Sequence, residues 1–162
     1  MDAENQTIKS DNPSSNGKCL FFGTFERALD TKNRITVPSQ WLRGRELEFY
    51  VMLNPQAQRR FLIVMPKKAF AAIEKEIRAS SMPEAKKRIA IRLIYGKSRL
   101  VTCDAQGRIL LPDDQCSQAS LDKETVLIGS KDRFEVWNKK RWESAEADDQ
   151  AIFVEAANLI GL

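Results

Sequence analysis

The chain has 162 residues, 43% apolar and 30% charged, enough for one compact domain or two closely packed halves and too few for two independent domains. Basic residues exceed acidic ones by only 26 to 22, so net charge does not by itself mark a nucleic-acid binder. Histidine is absent, and Cys19, Cys103 and Cys116 show no Cys-x-x-Cys spacing, which removes the commonest general base, leaves no sensible metal site and points to a reducing compartment without a disulfide framework.

Residues 1–18 are rich in Asn, Ser and Asp and have no apolar signal-peptide core, so they are expected to form a disordered cytoplasmic extension. No run of about 18 apolar residues is present to span a bilayer. Leu20 to Leu29 predicts a strand and Arg34-Ile-Thr-Val37 another, with Asp30-Thr-Lys-Asn33 as the hairpin connection and Pro38 as the end of the ladder. Glu48 to Leu53 and Phe61 to Met65 predict the next two strands. Pro66 can open a helix, because Phe70, Ile73 and Ile77 follow at helical spacing. A second helix is expected from near Ser81, with Pro83 in its first turn, to about Tyr95, stopped by Gly96. Its bases Lys86, Lys87, Arg88 and Arg92 suit phosphate, although a solvated or subunit-contacting face is the more ordinary reading. Thr125 to Ile128 and Phe134 to Trp137 predict the last strands.

Internal repetition organises these elements. Asp30-Thr-Lys-Asn-Arg34-Ile-Thr-Val-Pro38 returns 74 residues later as Asp104-Ala-Gln-Gly-Arg108-Ile-Leu-Leu-Pro112. Phe61 to Phe70 has a counterpart in Arg133 to Trp142. Asn33 and Gly107 share one repeat position, and both residue types tolerate the left-handed backbone of a tight turn. The leading aspartates can cap that turn through backbone amides. Short apolar strands in two copies suit a closed barrel. The expected organisation is an extension at 1–18, repeats at 19–80 and 99–146, a connecting helix at 81–98 and a tail at 147–162. Charge is uneven as well: Lys67 to Arg99 carries ten bases and three acids, while Glu143 to Glu155 carries five acids and no base, suggesting an anion-facing side and an acidic end.

With these motifs in place, the chain resembles the MraZ family of bacterial transcriptional regulators over about Leu20 to Trp142. A single Asp-x-x-x-Arg is a weak motif. Two, each followed by β-formers and proline, with Phe134-Glu-Val-Trp137 closing the second copy, are specific. The resemblance implies an α+β, mainly β fold in which two tandem swapped-hairpin units of the AbrB and SpoVT kind form a pseudo-twofold barrel, with helices between and after the repeats. It also implies double-stranded DNA as partner, through direct repeats in a division and cell-wall promoter, and self-association into a ring. No cofactor, metal, membrane or small-molecule substrate is expected, and the location implied is cytoplasmic and nucleoid-associated.

By that resemblance the DNA surface falls on the two turns. Arg34 and Arg108 each present a rigid guanidinium fork, suited to guanine O6 and N7 or to a phosphate. Lys32 adds a phosphate contact whose repeat counterpart, Gln106, is uncharged. Arg43 supplies a base after Pro38, whereas the segment after Pro112 is acidic, so the first copy is expected to be the more DNA-facing. Asp30, Asn33, Asp104 and Gly107 are expected to shape the turns. A plain Asp–Arg salt bridge is the bland alternative for the motif. Other function classes are an antitoxin-like partner-coupled DNA binder, and an enzyme using Asp30 and Asp104 as paired carboxylates; the arginine four residues after each argues against acid–base work.

Overall fold

The computed structural model describes residues 20–162, so the extension expected at 1–18 lies outside the described residues. In chain order the elements are β1 (Thr24–Ala28), β2 (Arg34–Thr36), α1 (Ser39–Leu42), β3 (Glu48–Leu53), β4 (Leu62–Pro66), α2 (Lys67–Ala79), α3 (Glu84–Lys97), β5 (Arg99–Thr102), β6 (Arg108–Leu110), α4 (Asp113–Gln118), β7 (Glu124–Ser130), β8 (Arg133–Asn138) and α5 (Lys139–Ile160). The fold is α+β. Six strands make an antiparallel sheet in the order β1-β7-β8-β4-β3-β5, and β2 pairs with β6 in a separate ribbon.

This order is the same from either end once each strand is exchanged for its repeat counterpart. The register carries the same relation: Ile35 faces Ile109 in the ribbon, and Ile63 faces Glu135 at the centre of the sheet. Both are matched positions of the two copies, so a pseudo-twofold axis runs through these pairs. First strands are exchanged between the halves, with β1 on β7 and β5 on β3.

Two expectations change here. Among the described residues the sheet is open rather than a closed barrel, because β1 and β5 are its edges and β2 and β6 pair with each other in a separate ribbon. Nor do β1 and β2 form a hairpin ladder: the Asp30 turn exists, but the strands on its two sides enter different sheets. The physical reason is length, since β2 is three residues long before Pro38 removes the next donor.

The core lies between the sheet and the ribbon. Phe49 and Val51 of β3, Leu62 and Val64 of β4, and Phe134 and Val136 of β8 meet Ile35 and Ile109 there, as strand alternation requires. Trp41 packs with Phe21, Phe25 and Phe134 at ring distances of 5.1–5.5 Å. The opposite face of β3 and β4 offers Met52 and Met65 to Ala69 and Phe70 of α2.

Short helices α1 and α4 follow the prolines that end β2 and β6. Each follows a proline N-cap, and Asp113 and Asp114 favour the first turn of α4. The two are anchored alike: the Trp41 Nε1–H donates to the Phe22 carbonyl, and its repeat counterpart Gln115 donates through Nε2 to the Lys97 carbonyl. Helix α3 starts later and ends later than expected. Pro83 is its N-cap, with extended ψ, and Gly96 lies inside it. Ser98 closes it by donating from its backbone N–H to the Tyr95 carbonyl and from its hydroxyl to the Ile94 carbonyl, so no glycine is needed. Residues 147–160, expected in the tail, continue α5 as a single helix of 22 residues that ends at Gly161 in the left-handed conformation.

Gly129 in β7 lies against the Phe21 backbone, and a Cβ there would sit 2.6 Å from the Phe21 carbonyl carbon and oxygen. Gly129→Ala should therefore lower stability by about 1–3 kcal/mol, whereas Gly96→Ala, in open space within α3, should raise it by about 0.5–1 kcal/mol. Urea midpoints at unchanged m-value check both; a Gly129→Ala midpoint at or above that of the parent would contradict the close approach.

Candidate nucleic-acid interface

Each Asp-x-x-x-Arg segment folds into the same small structure. In the first, Asp30 Oδ1 accepts from the backbone N–H groups of Lys32 (2.9 Å) and Arg34 (2.8 Å), while Oδ2 accepts from Arg34 Nε at 2.7 Å. In the second, Asp104 Oδ1 accepts from the N–H groups of Gln106 and Arg108, both at 2.9 Å, and Oδ2 accepts from Arg108 Nε at 2.9 Å. The turn closes as the N–H of Asn33 or Gly107 donates to the aspartate carbonyl. Asn33 and Gly107 both have positive φ, +60° and +77°. That conformation is open to glycine and tolerated by asparagine. The four turn-shaping residues thus do structural work, with the aspartate capping the backbone and holding its arginine.

The ribbon brings the two turns together. Residues paired on antiparallel strands share a face, so Arg34, Thr36, Arg108 and Leu110 lie on the outer side while Ile35 and Ile109 are buried beneath. Arg34 and Arg108 are diagonal neighbours there, with Cα atoms about 7–8 Å apart by standard sheet spacing. Each side chain is about one-third exposed. Among the described residues, neither guanidinium has a hydrogen-bond partner at its terminal nitrogens. Nε anchors each fork and the remaining donors are left for a ligand.

Strand exchange also decides the neighbours of each turn, and they are not the segments that follow each motif in sequence. The Leu111 N–H donates to the Asn33 carbonyl, and the Val37 N–H donates to the Gly107 carbonyl. Acidic α4, which follows the second motif in sequence, therefore lies beside the first turn, where Asn33 Nδ2 donates to Asp113. Lys32, Asn33, Arg99, Leu110 and Asp113 line an open groove there of about 440 Å³. Conversely, Leu42 of α1 packs against the second turn, 3.4 Å from where a Gly107 Cβ would be. Arg43, the residue that follows, is exposed and caps the C-terminus of α1. The acidic segment after Pro112 therefore no longer counts against the second turn, while the difference between Lys32 and Gln106 stays. Lys32 is exposed at the tip of the first turn.

Electrostatics argue against acid–base chemistry at the turns. The backbone N–H of Arg34 is the largest influence on the Asp30 carboxyl and holds it below its usual range, reinforced by the Arg34 side chain and the Lys32 N–H against a desolvation penalty. Arg108 and Gln106 do the same for Asp104. The Cys116 thiol is pushed up to about 11, chiefly by burial, so it is protonated at neutral pH and a poor nucleophile. Burial also raises the Glu135 carboxyl, which the sequence did not single out; it accepts from Trp137 Nε1 on the far face of the sheet, in a cleft with Phe61, Trp142 and the Arg59–Asp149 ion pair. Among the described residues no cluster of three or more Cys, Asp or Glu is placed to hold a metal, and no helix is long and apolar enough to cross a membrane.

Known proteins match along most of the chain. The family model described as "MraZ protein, putative antitoxin-like" matches residues 20–92 and again 94–160. A protein of Desulforamulus reducens named transcriptional regulator MraZ is 32% identical over 144 residues, covering 88% of this chain and 99% of its own. Its namesakes from Acidithiobacillus ferrooxidans and Nocardia farcinica are 34% and 33% identical, covering 78% and 85% of this chain and 88% and 94% of their own.

Because the folded pKa values of Asp30 and Asp104 are lowered, their stabilisation of the turns is complete above the unfolded value of about 3.9 and is lost as pH falls through the lowered folded values. Carboxyl-carbon NMR titration should give both midpoints below the usual 3.8. A midpoint above that value for either residue would contradict the capped geometry.

Proposed function

The chain belongs to the MraZ family, and from that premise we propose that it is a sequence-specific DNA-binding regulator of transcription that reads DNA through the outer face of the β2–β6 ribbon. The observation that carries this reading is the pair of aspartate-anchored arginines on one face of one ribbon, with their outer donors unpaired. A major groove about 12 Å wide admits a two-stranded ribbon, and an arginine fork there can engage guanine O6 and N7. Anchoring Nε to a fixed carboxylate lowers the side-chain entropy lost on contact. Lys32 and Arg43, both exposed, serve phosphates and bring salt dependence.

The exchange of first strands between the halves supports reading the chain as two tandem swapped-hairpin units. On the same reading the protein self-associates, in a ring, and several subunits engage direct repeats in a division and cell-wall promoter. Linking weak half-sites in this way raises affinity through effective concentration. Double-stranded DNA is then the ligand, without catalysis or a cofactor, and the protein works in the cytoplasm on the nucleoid. The antitoxin-like reading draws on the family description; the doubled motif within one chain favours regulation without a toxin partner.

Arg34→Ala and Arg108→Ala should each weaken binding to a duplex from the chain's own upstream region by roughly 5- to 150-fold at fixed salt, about 1–3 kcal/mol, with the free protein's mass unchanged. Lys32→Ala should lower the salt slope by about one. Fluorescence anisotropy reads all three, and unchanged affinity in both arginine variants would refute the interface.

A further inference from the structure

The outer face of the β2–β6 ribbon carries four side chains in two opposed pairs, Arg34 across from Leu110 and Thr36 across from Arg108. The arginines occupy one diagonal, Thr36 and Leu110 the other. Leu110 differs from the rest in having no hydrogen-bonding group. It is 56% exposed, while Ile109 and Leu111 on either side of it are buried. Strand alternation turns it outward, so the core makes no demand on its chemistry. The first copy places an exposed threonine, Thr36, at the matched position.

An exposed leucine needs no explanation on most surfaces. This one shares a face with two guanidiniums whose terminal nitrogens have no partner among the described residues. It also lines the open groove beside the first turn, with Lys32 and Arg99. Side chains directly opposed on antiparallel strands have Cβ atoms about 4.5–5.5 Å apart, and successive base pairs are about 3.4 Å apart. With the Arg34 fork on a guanine, Leu110 therefore reaches the neighbouring base pair. In the major groove the apolar group on the base edges is the C5 methyl of thymine. Leucine has nothing to offer the donors and acceptors of the other bases, whereas the Thr36 hydroxyl donates or accepts and so tolerates several.

We propose that Leu110 determines specificity by packing on the C5 methyl of a thymine next to the base pair that Arg34 engages. This rests on the ribbon as the DNA surface and names a base that the surface selects. The consequence is direction. A face with identical halves would bind a site in either of the two orientations related by its pseudo-twofold axis. Lys32 and Gln106 differ between the halves, but a phosphate contact carries no sequence information directly. Leu110 against Thr36 is a difference on the base-facing side, and it selects one orientation. Elements repeated in the same direction require that polarity.

Anisotropy titrations with a duplex from the chain's own upstream region, and with the same duplex carrying deoxyuridine in place of thymine, isolate the methyl. Uracil keeps the pairing edge of thymine and lacks only that group. The parent should bind the uracil duplex about fourfold more weakly, the worth of one methyl-sized apolar group removed from water. Leu110→Ser should bind the thymine duplex about 4- to 10-fold more weakly than the parent and should not distinguish the two duplexes. Leu110→Ile, which keeps an apolar side chain, should still distinguish them. Circular dichroism and light-scattering mass should match the parent for both variants. A parent indifferent to uracil, or a Leu110→Ser protein as sensitive to it as the parent, would overturn the proposal. So would a lower mass for Leu110→Ser, which would make Leu110 a contact between protein copies. Unchanged affinity of both Arg34→Ala and Arg108→Ala is the separate result that removes the ribbon from DNA altogether.

Discussion

Neither half of the molecule can complete its own strands, and the rest of the structure depends on that mutual dependence. β1 finds its hydrogen-bond partner in β7 and β5 finds its own in β3, while β2 and β6 pair with each other. An unpaired buried N–H or C=O costs about 1–3 kcal/mol, so separating the halves would expose four ladders at once, the β4–β8 pairing included. Ile35 and Ile109, both fully buried, meet beneath the ribbon where the halves cross. The same crossing sets Arg34 and Arg108 side by side. Core packing and the candidate binding surface are therefore two faces of one ribbon, and the outer face inherits the rigidity of the inner one.

Exchange also explains a feature that a linear reading inverts. In the sequence Asp113 follows the second motif and Arg43 follows the first, so charge seems to favour the first motif. In the folded chain each post-proline helix is carried across the ribbon to the other turn, which sets Asp113 against Asn33 and Leu42 against Gly107. The neighbours of each turn thus come from the other copy of the motif.

The elements that repeat were the legible ones. β3 and β8, the turns and the positive-φ positions of Asn33 and Gly107 follow from composition, spacing and the doubled motif, because local chemistry decides them. Pairing was hidden, since an Asp-x-x-x-Arg turn looks the same whether its flanking strands pair with each other or part; only Pro38, Pro112 and the three-residue length of β2 and β6 argue for parting. Helix α3 extends past Gly96 because Ser98 supplies the cap, a choice invisible to a rule that takes glycine as a stop. At the site, the roles of Asp30 and Asp104 were readable from turn chemistry. The cleft around Glu135 was not: Arg59 is far in sequence from Trp142 and Asp149 of α5, and only the sheet brings them together.

Hydrogen exchange with and without a duplex from the chain's own upstream region tests most directly whether the ribbon is the DNA surface. The account predicts that slowed exchange appears together at residues 30–34 and 104–108, because the two turns share one face, and that the amides of α3 are unchanged. Protection confined to α3, or to one turn with the other unaffected, would contradict it.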